Sequence, residues 1–218
     1  MLALRRRTQA VRKAQNKPAV SPEPVKYWDP HLAKRVAKLS PGQNYLSTTD
    51  ELLVSVVGST VVVSLRDPEA GLVAMSNLVA ATHGLPALEK TARTSAHRYV
   101  EQVLSELTKK LEKRGASHAT LEVTLVGGMS SNKEGTDPVT ETLDVCRRFF
   151  AERQIKITTE FVGSKQAKKV YTSLREPCPH VWVLDEVSNT VSQREQRYTQ
   201  QVQLEHLLGS RKTTMKFT

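Results

Sequence analysis

Only two cysteines, Cys146 and Cys178, occur in the 218 residues, and they are far apart without C-x-x-C spacing. A disulfide framework or a zinc site is therefore not expected. Aromatic residues make up 5% of the chain, and no apolar run approaches the roughly 20 residues that a membrane span requires, Ser55, Gly58 and Ser59 interrupting the longest. The opening MLALRRRTQAVRKAQ is basic but has no apolar stretch behind it, so it does not read as a secretory signal. These absences lead us to expect a cytoplasmic protein with no integral membrane segment.

What is present suggests one domain with extensions. Hydrophobic residues at 39% and charged residues at 25% suit a globular core. The formal charge of +10 is unevenly placed: residues 1–40 carry ten Lys or Arg against Glu23 and Asp29. Up to about Pro24 the chain lacks apolar periodicity and is punctuated by Pro18, Pro22 and Pro24, so residues 1–34 read as a flexible basic arm. Its Arg5, Arg6, Arg7, Arg12 and Lys13 suit an acidic partner such as nucleic acid, an anionic membrane surface or an acidic protein face; a merely solvated tail reads equally well.

Residues 35–187 read as the domain. Leu52 to Val57, Val61 to Leu65 and Leu72 to Ser76 are rich in branched residues and are expected to form three adjacent strands of an antiparallel meander. From Lys90 to Arg114 apolar residues recur at three and four, which predicts an amphipathic helix stopped at Gly115. A strand through Leu121, Val123 and Leu125 ends at Gly127-Gly128, and Asp137-Pro138 opens a second helix that places Cys146 on its apolar face as a core residue. Ile155 to Val162 is a further strand, and Val170 to Leu174 and Val181 to Leu184 are expected to pair across Glu176-Pro177. The sum is an α+β fold, a mostly antiparallel β-sheet or sandwich core flanked by helices. Residues 188–218 predict a third helix with a thin apolar stripe, which either docks on the domain or engages a partner.

A set of motifs then stands out. Gly58-Ser59-Thr60 follows a strand, Arg66-Asp67-Pro68 ends the next, and Ala74-Met75-Ser76-Asn77 lies in the third. Val126-Gly127-Gly128-Met129 follows the long helix, and Phe161-Val162-Gly163-Ser164-Lys165 leads into Lys168-Lys169-Val170. In order and spacing these resemble the chemoreceptor glutamine deamidase (CheD) family over about residues 35–186. The resemblance implies hydrolysis of a glutamine side-chain amide by a cysteine nucleophile with a histidine base, without a cofactor. It also implies chemoreceptor cytoplasmic domains and a CheC-type phosphatase as partners. Thr60 falls at the cysteine position and Asn77 at the histidine position; for a third, hydroxyl position Ser55 is the nearest candidate, though Val54 aligns as well and Ser55 reads equally as a polar residue on a half-exposed strand.

A threonine hydroxyl attacks only when a base removes its proton, and a carboxamide takes no proton at neutral pH. The resemblance with these replacements implies a degenerate deamidase that acts by binding. The alternatives are an active deamidase using Thr60, or a nucleic-acid or membrane-surface binder using the basic arm. Cys178 and His180 lie two apart and would share a face on an extended strand, but Pro177 and Pro179 flank the cysteine and favour a hairpin turn, and nothing in the sequence supplies a third group to orient the histidine. His83, His97, His118 and His206 show no ligand spacing.

Overall fold

The computed structural model describes residues 23–79, 89–129, 137–184 and Glu195, with side chains of the helix beginning at Glu89 described from residue 97 onward. Among the described residues ten strands and two helices follow in the order β1 (Val25–Asp29), β2 (Lys34–Leu39), β3 (Asn44–Ser47), β4 (Leu52–Val57), β5 (Val61–Asp67), β6 (Leu72–Leu78), α1 (Glu89–Glu112), β7 (Glu122–Gly127), α2 (Pro138–Glu152), β8 (Ile157–Phe161), β9 (Lys168–Thr172) and β10 (His180–Val183). The strands form two five-stranded sheets, ordered β1-β2-β4-β9-β10 and β3-β6-β5-β7-β8. Pairing is antiparallel except between β2 and β4 and between β7 and β8. The chain is thus mixed α+β and mostly antiparallel, as the sequence predicts.

The expected meander is corrected. β5 and β6 do form an antiparallel hairpin, but β4 belongs to the other sheet, parallel to β2 and antiparallel to β9. The reason lies in Gly58-Ser59-Thr60, which carries the chain from one sheet to the other, so the break that punctuates the apolar run is a crossing rather than a hairpin turn. Three strands escape the sequence pattern, β1, β2 and β3, and the first lies within the span read as the arm. β1 is mostly exposed and, among the described residues, pairs only with β2, so it has no apolar face to leave a signature.

Two apolar layers hold the fold together. One draws Ala37, Leu39, Leu53, Val57 and Val170 from the first sheet against Val62, Val73, Met75 and Val126 from the second. The other sets Val61, Val63, Leu65 and Leu125 against α1 through Val100, Leu104, Leu107 and Leu111, and against α2 through Leu143, Cys146, Phe149 and Phe150. Both described helices therefore pack on one face of one sheet. The strands β5 and β6, enclosed on both sides, are buried almost throughout, which is why they read as continuous apolar runs rather than alternating ones. Each fully buried large aliphatic or aromatic side chain here stabilises the fold by about 1.5–3 kcal/mol relative to exposure.

Local signals are met at the helix ends. Asp137 caps α2 by accepting from the Thr140 amide, with Pro138 at the first turn, and Gly115 after α1 adopts φ of 100°, open to glycine without strain. β9 and β10 pair antiparallel as expected.

Candidate functional site

The site forms where the chain crosses between sheets. β4 ends at Val57, Gly58-Ser59-Thr60 makes the passage, and β5 begins at Val61. The segment after β7 is pressed against this passage: the Gly128 amide donates to the Thr60 carbonyl at 3.0 Å, and the Met129 amide donates to the Gly58 carbonyl. Gly128 has no room for a side chain, because a Cβ would lie 2.1 Å from the Gly58 oxygen and 2.8 Å from the Thr60 oxygen. Beside it, the carbonyl of Gly127 accepts from the buried Lys168 Nζ at 2.8 Å. Burial holds that ammonium's pKa below the usual lysine range.

Asn77, near the end of β6, is fully buried and ties the two sheets together. Its Nδ2 donates to Ser55 Oγ at 2.8 Å and to the Val56 carbonyl at 3.3 Å, while Ser55 Oγ donates to the Leu39 carbonyl at 3.0 Å. Its backbone is held as well, its amide donating to the Gln43 carbonyl at 3.0 Å and its carbonyl accepting from Gly42 at 2.7 Å. The Asn77 Oδ1 is buried without a hydrogen-bond partner among the described residues. Ser55 is itself completely buried, so the expectation of a half-exposed strand position is corrected: β4 is the central strand of its sheet and is covered on both faces.

Thr60 is fully buried, and its hydroxyl reaches a carboxylate that sequence reasoning did not single out. Glu195, 3% exposed and 135 positions away in the chain, lies over the passage with Oε1 3.4 Å from Thr60 Oγ1. The same carboxylate accepts from the Gly58 amide at 2.7 Å, from the Ser59 amide in a short contact, and from Ser59 Oγ at 2.9 Å. Two successive backbone N–H groups and a hydroxyl converging on one anion form a nest of the kind that holds carboxylates and oxyanions. Burial pushes the Glu195 carboxyl above the usual range, and the donations from Ser59, Gly58 and Thr60 pull partly against that shift. No sequence signal marked this residue, because a lone glutamate in a polar, glutamine-rich run looks like any solvated position.

The other candidates fall elsewhere. Asp67 is buried at the β5–β6 turn, where it accepts from the Glu69 and Ala70 amides at 3.0 and 2.9 Å and from the Ser117 amide and Thr120 hydroxyl at 3.0 and 2.7 Å. It is thus a structural clamp between that turn and the loop ahead of β7; Pro68 beside it is exposed. Gly163 is an exposed turn residue with φ of 76°. Cys146 is buried on α2, with its thiol pushed up to about 12 by burial, and belongs to the core as expected. Cys178 is exposed and makes no hydrogen bond to His180, whose ring does have an orienting partner, Glu176 at 2.8 Å, a group the sequence had not revealed. Among the described residues no group of His, Cys, Asp and Glu is arranged to hold a metal ion, and no helix is long and apolar enough to cross a membrane. The basic-arm residues Arg5, Arg6, Arg7, Arg12 and Lys13, and the third helix apart from Glu195, lie outside the described residues.

Comparison with known proteins finds relatives of this chain. A protein from Chromobacterium violaceum, "Probable chemoreceptor glutamine deamidase CheD 2", is 30% identical over 153 residues, covering 66% of this chain and 72% of that protein. The chain belongs to the CheD family. The family's model, described as CheD chemotactic sensory transduction, matches residues 85–181. CheD relatives named "Probable chemoreceptor glutamine deamidase CheD" include one from Saccharophagus degradans, 27% identical over 66% of this chain and 68% of that protein, and one from Methylobacillus flagellatus, 25% identical over 84% and 91%. The span matched by the CheD model begins after Gly58-Ser59-Thr60 and Asn77, so these positions rest on the sequence motif and on the geometry above.

Proposed function

We propose that this chain is a catalytically degenerate CheD protein that acts by binding chemoreceptor cytoplasmic helices, with a CheC-type phosphatase as a second partner. The observation that carries the reading is the state of Thr60 and Asn77. The hydroxyl at the nucleophile position is buried and faces a carboxylate already engaged by backbone donors, and the carboxamide at the base position, which takes no proton at neutral pH, spends its Nδ2 on Ser55 and Val56. Among the described residues no histidine hydrogen-bonds to Thr60, Asn77 or Ser55. Amide hydrolysis by this scaffold needs a proton acceptor for the nucleophile, and loss of nucleophile and base together removes on the order of a millionfold in rate in a triad hydrolase. The relatives' names supply the target, glutamine on chemoreceptors, and the β4–β5 passage with its converging N–H groups is suited to grip such a side chain without turning it over.

Incubating the purified full chain with a chemoreceptor fraction, and reading both retention and glutamine-to-glutamate conversion by mass spectrometry, tests this. Retention without conversion is expected. Conversion by the unaltered chain that disappears in Thr60→Ala would establish an active enzyme instead. The double variant Thr60→Cys with Asn77→His is expected to restore measurable conversion, since it places a thiol on the β4–β5 passage and an imidazole on β6.

A further inference from the structure

The nest at the β4–β5 passage is occupied by part of the chain itself. Glu195 Oε1 accepts from the Gly58 amide, and Oε2 is gripped by both the amide and the hydroxyl of Ser59. The cradle is shaped for this guest, because a Cβ on Gly58 would lie 2.4 Å from Oε2 and 3.0 Å from the carboxyl carbon. The guest is chemically specific too: a glutamate side chain is what hydrolysis of a glutamine amide leaves behind, and N–H groups that would hold the developing oxyanion hold the product carboxylate equally well.

We propose that Gly58, Ser59 and Thr60 form a binding site for a glutamyl or glutaminyl side chain and that Glu195 is its built-in occupant, a product analogue that an incoming receptor side chain must displace. The ligand class rests on the reading given under Proposed function; the occupancy by Glu195 does not. The arrangement is that of a plug rather than of a general base. A base for Thr60 would have to leave the two amides free for the substrate carbonyl, whereas the carboxylate accepts from both and meets the Thr60 hydroxyl only at 3.4 Å. The raised pKa from burial agrees with a carboxyl held out of water.

Occupancy by a tethered segment lowers the apparent affinity for any competitor by the fraction of time the site is open. The full-length Glu195→Ala chain should therefore bind a synthetic peptide of the chain's own residues 188–202 on the order of tenfold or more tightly than the unaltered chain does. The same peptide with Glu195→Ala should bind neither. In amide NMR spectra the Gly58 and Ser59 signals should move upfield in Glu195→Ala and return when the peptide is added. Glu195→Gln, which keeps the side-chain length and one carbonyl oxygen, should give a partial shift and provides the test if the alanine variant folds poorly. Unmoved Gly58 and Ser59 amides, or peptide binding indifferent to its glutamate, would overturn the proposal, as would a deamidase activity of the unaltered chain that Glu195→Ala abolishes. Receptor retention separates the two readings. Peptide capture as expected with no receptor binding by either chain would remove the receptor reading and sustain the plug; equal receptor binding by both chains with no peptide capture would remove the plug alone.

Discussion

Gly128 and Gly127 are adjacent, and the structure assigns them unequal burdens. At Gly128 an added Cβ would lie 2.1 Å from the Gly58 oxygen and 2.8 Å from the Thr60 oxygen, both backbone atoms of the sheet-to-sheet passage. At Gly127 it would meet Leu143 Cδ1 at 3.1 Å and Val162 Cγ1 at 3.3 Å, side-chain atoms that give more readily. Overpacking a tight site costs about 1–3 kcal/mol. Pushing the two backbones apart at Gly128 also weakens the Gly128-to-Thr60 and Met129-to-Gly58 hydrogen bonds, each worth about 0.5–1.5 kcal/mol net. Gly128→Ala is thus expected to cost about 2–6 kcal/mol and Gly127→Ala about 1–2, against a total stability of about 5–15 kcal/mol for a domain. Urea unfolding monitored by circular dichroism measures both, with tryptophan fluorescence as a second probe for two-state behaviour. Equal destabilisation by the two variants, or an unaffected Gly128→Ala, would refute the argument that Gly128 serves close approach to the crossing.

Further outcomes follow from individual groups. Burial opposes ionisation of Asp67, but hydrogen bonds from Ala70, Thr120, Ser117 and Glu69 outweigh it and hold its carboxyl below the usual aspartate range. Its contribution to stability is therefore present above the unfolded pKa of about 3.9 and lost as pH falls through the lower folded value. Asp67→Asn keeps one acceptor oxygen and should cost about 2–4 kcal/mol at neutral pH, with a flatter loss of stability on acid titration than the unaltered chain shows; parallel acid profiles would count against the clamp. Glu160 is held ionised chiefly by its hydrogen bonds from Arg147, at 2.6 and 3.2 Å, but the Arg147 side chain is 38% exposed, so Glu160→Gln should cost under about 1 kcal/mol and less still at high salt. A thiol reagent should modify Cys178 rapidly and Cys146 only after unfolding, since burial raises the Cys146 thiol to about 12; simultaneous reaction of both in the native chain would show that the α2 core opens.

Much of the domain was legible because its signals are local. The three-and-four spacing of Val100, Leu104, Leu107 and Leu111 marks one face of α1, Asp137-Pro138 marks the start of α2, and the branched runs mark β4, β5 and β6. The order of the motifs was legible as well, and with it the likeness to the CheD family that comparison upholds. Which sheet a strand joins was not legible, because β4 and β5 have the same branched, apolar composition and only packing decides that the chain crosses at Gly58 rather than turning back. β1 escaped for the opposite reason: an edge strand exposed along most of its length carries no periodicity.

The site divides along the same line. Residue identity alone settles that position 60 carries an alcohol and position 77 a carboxamide, since the chemistry of a side chain is written in its code. Burial of Ser55, its bond to Asn77 and the seating of Glu195 on the Gly58 and Ser59 amides were decided by tertiary structure. The physical reason is range: backbone N–H groups are present at nearly every position, and only folding that brings residue 195 to residue 58 turns two of them into a binding site.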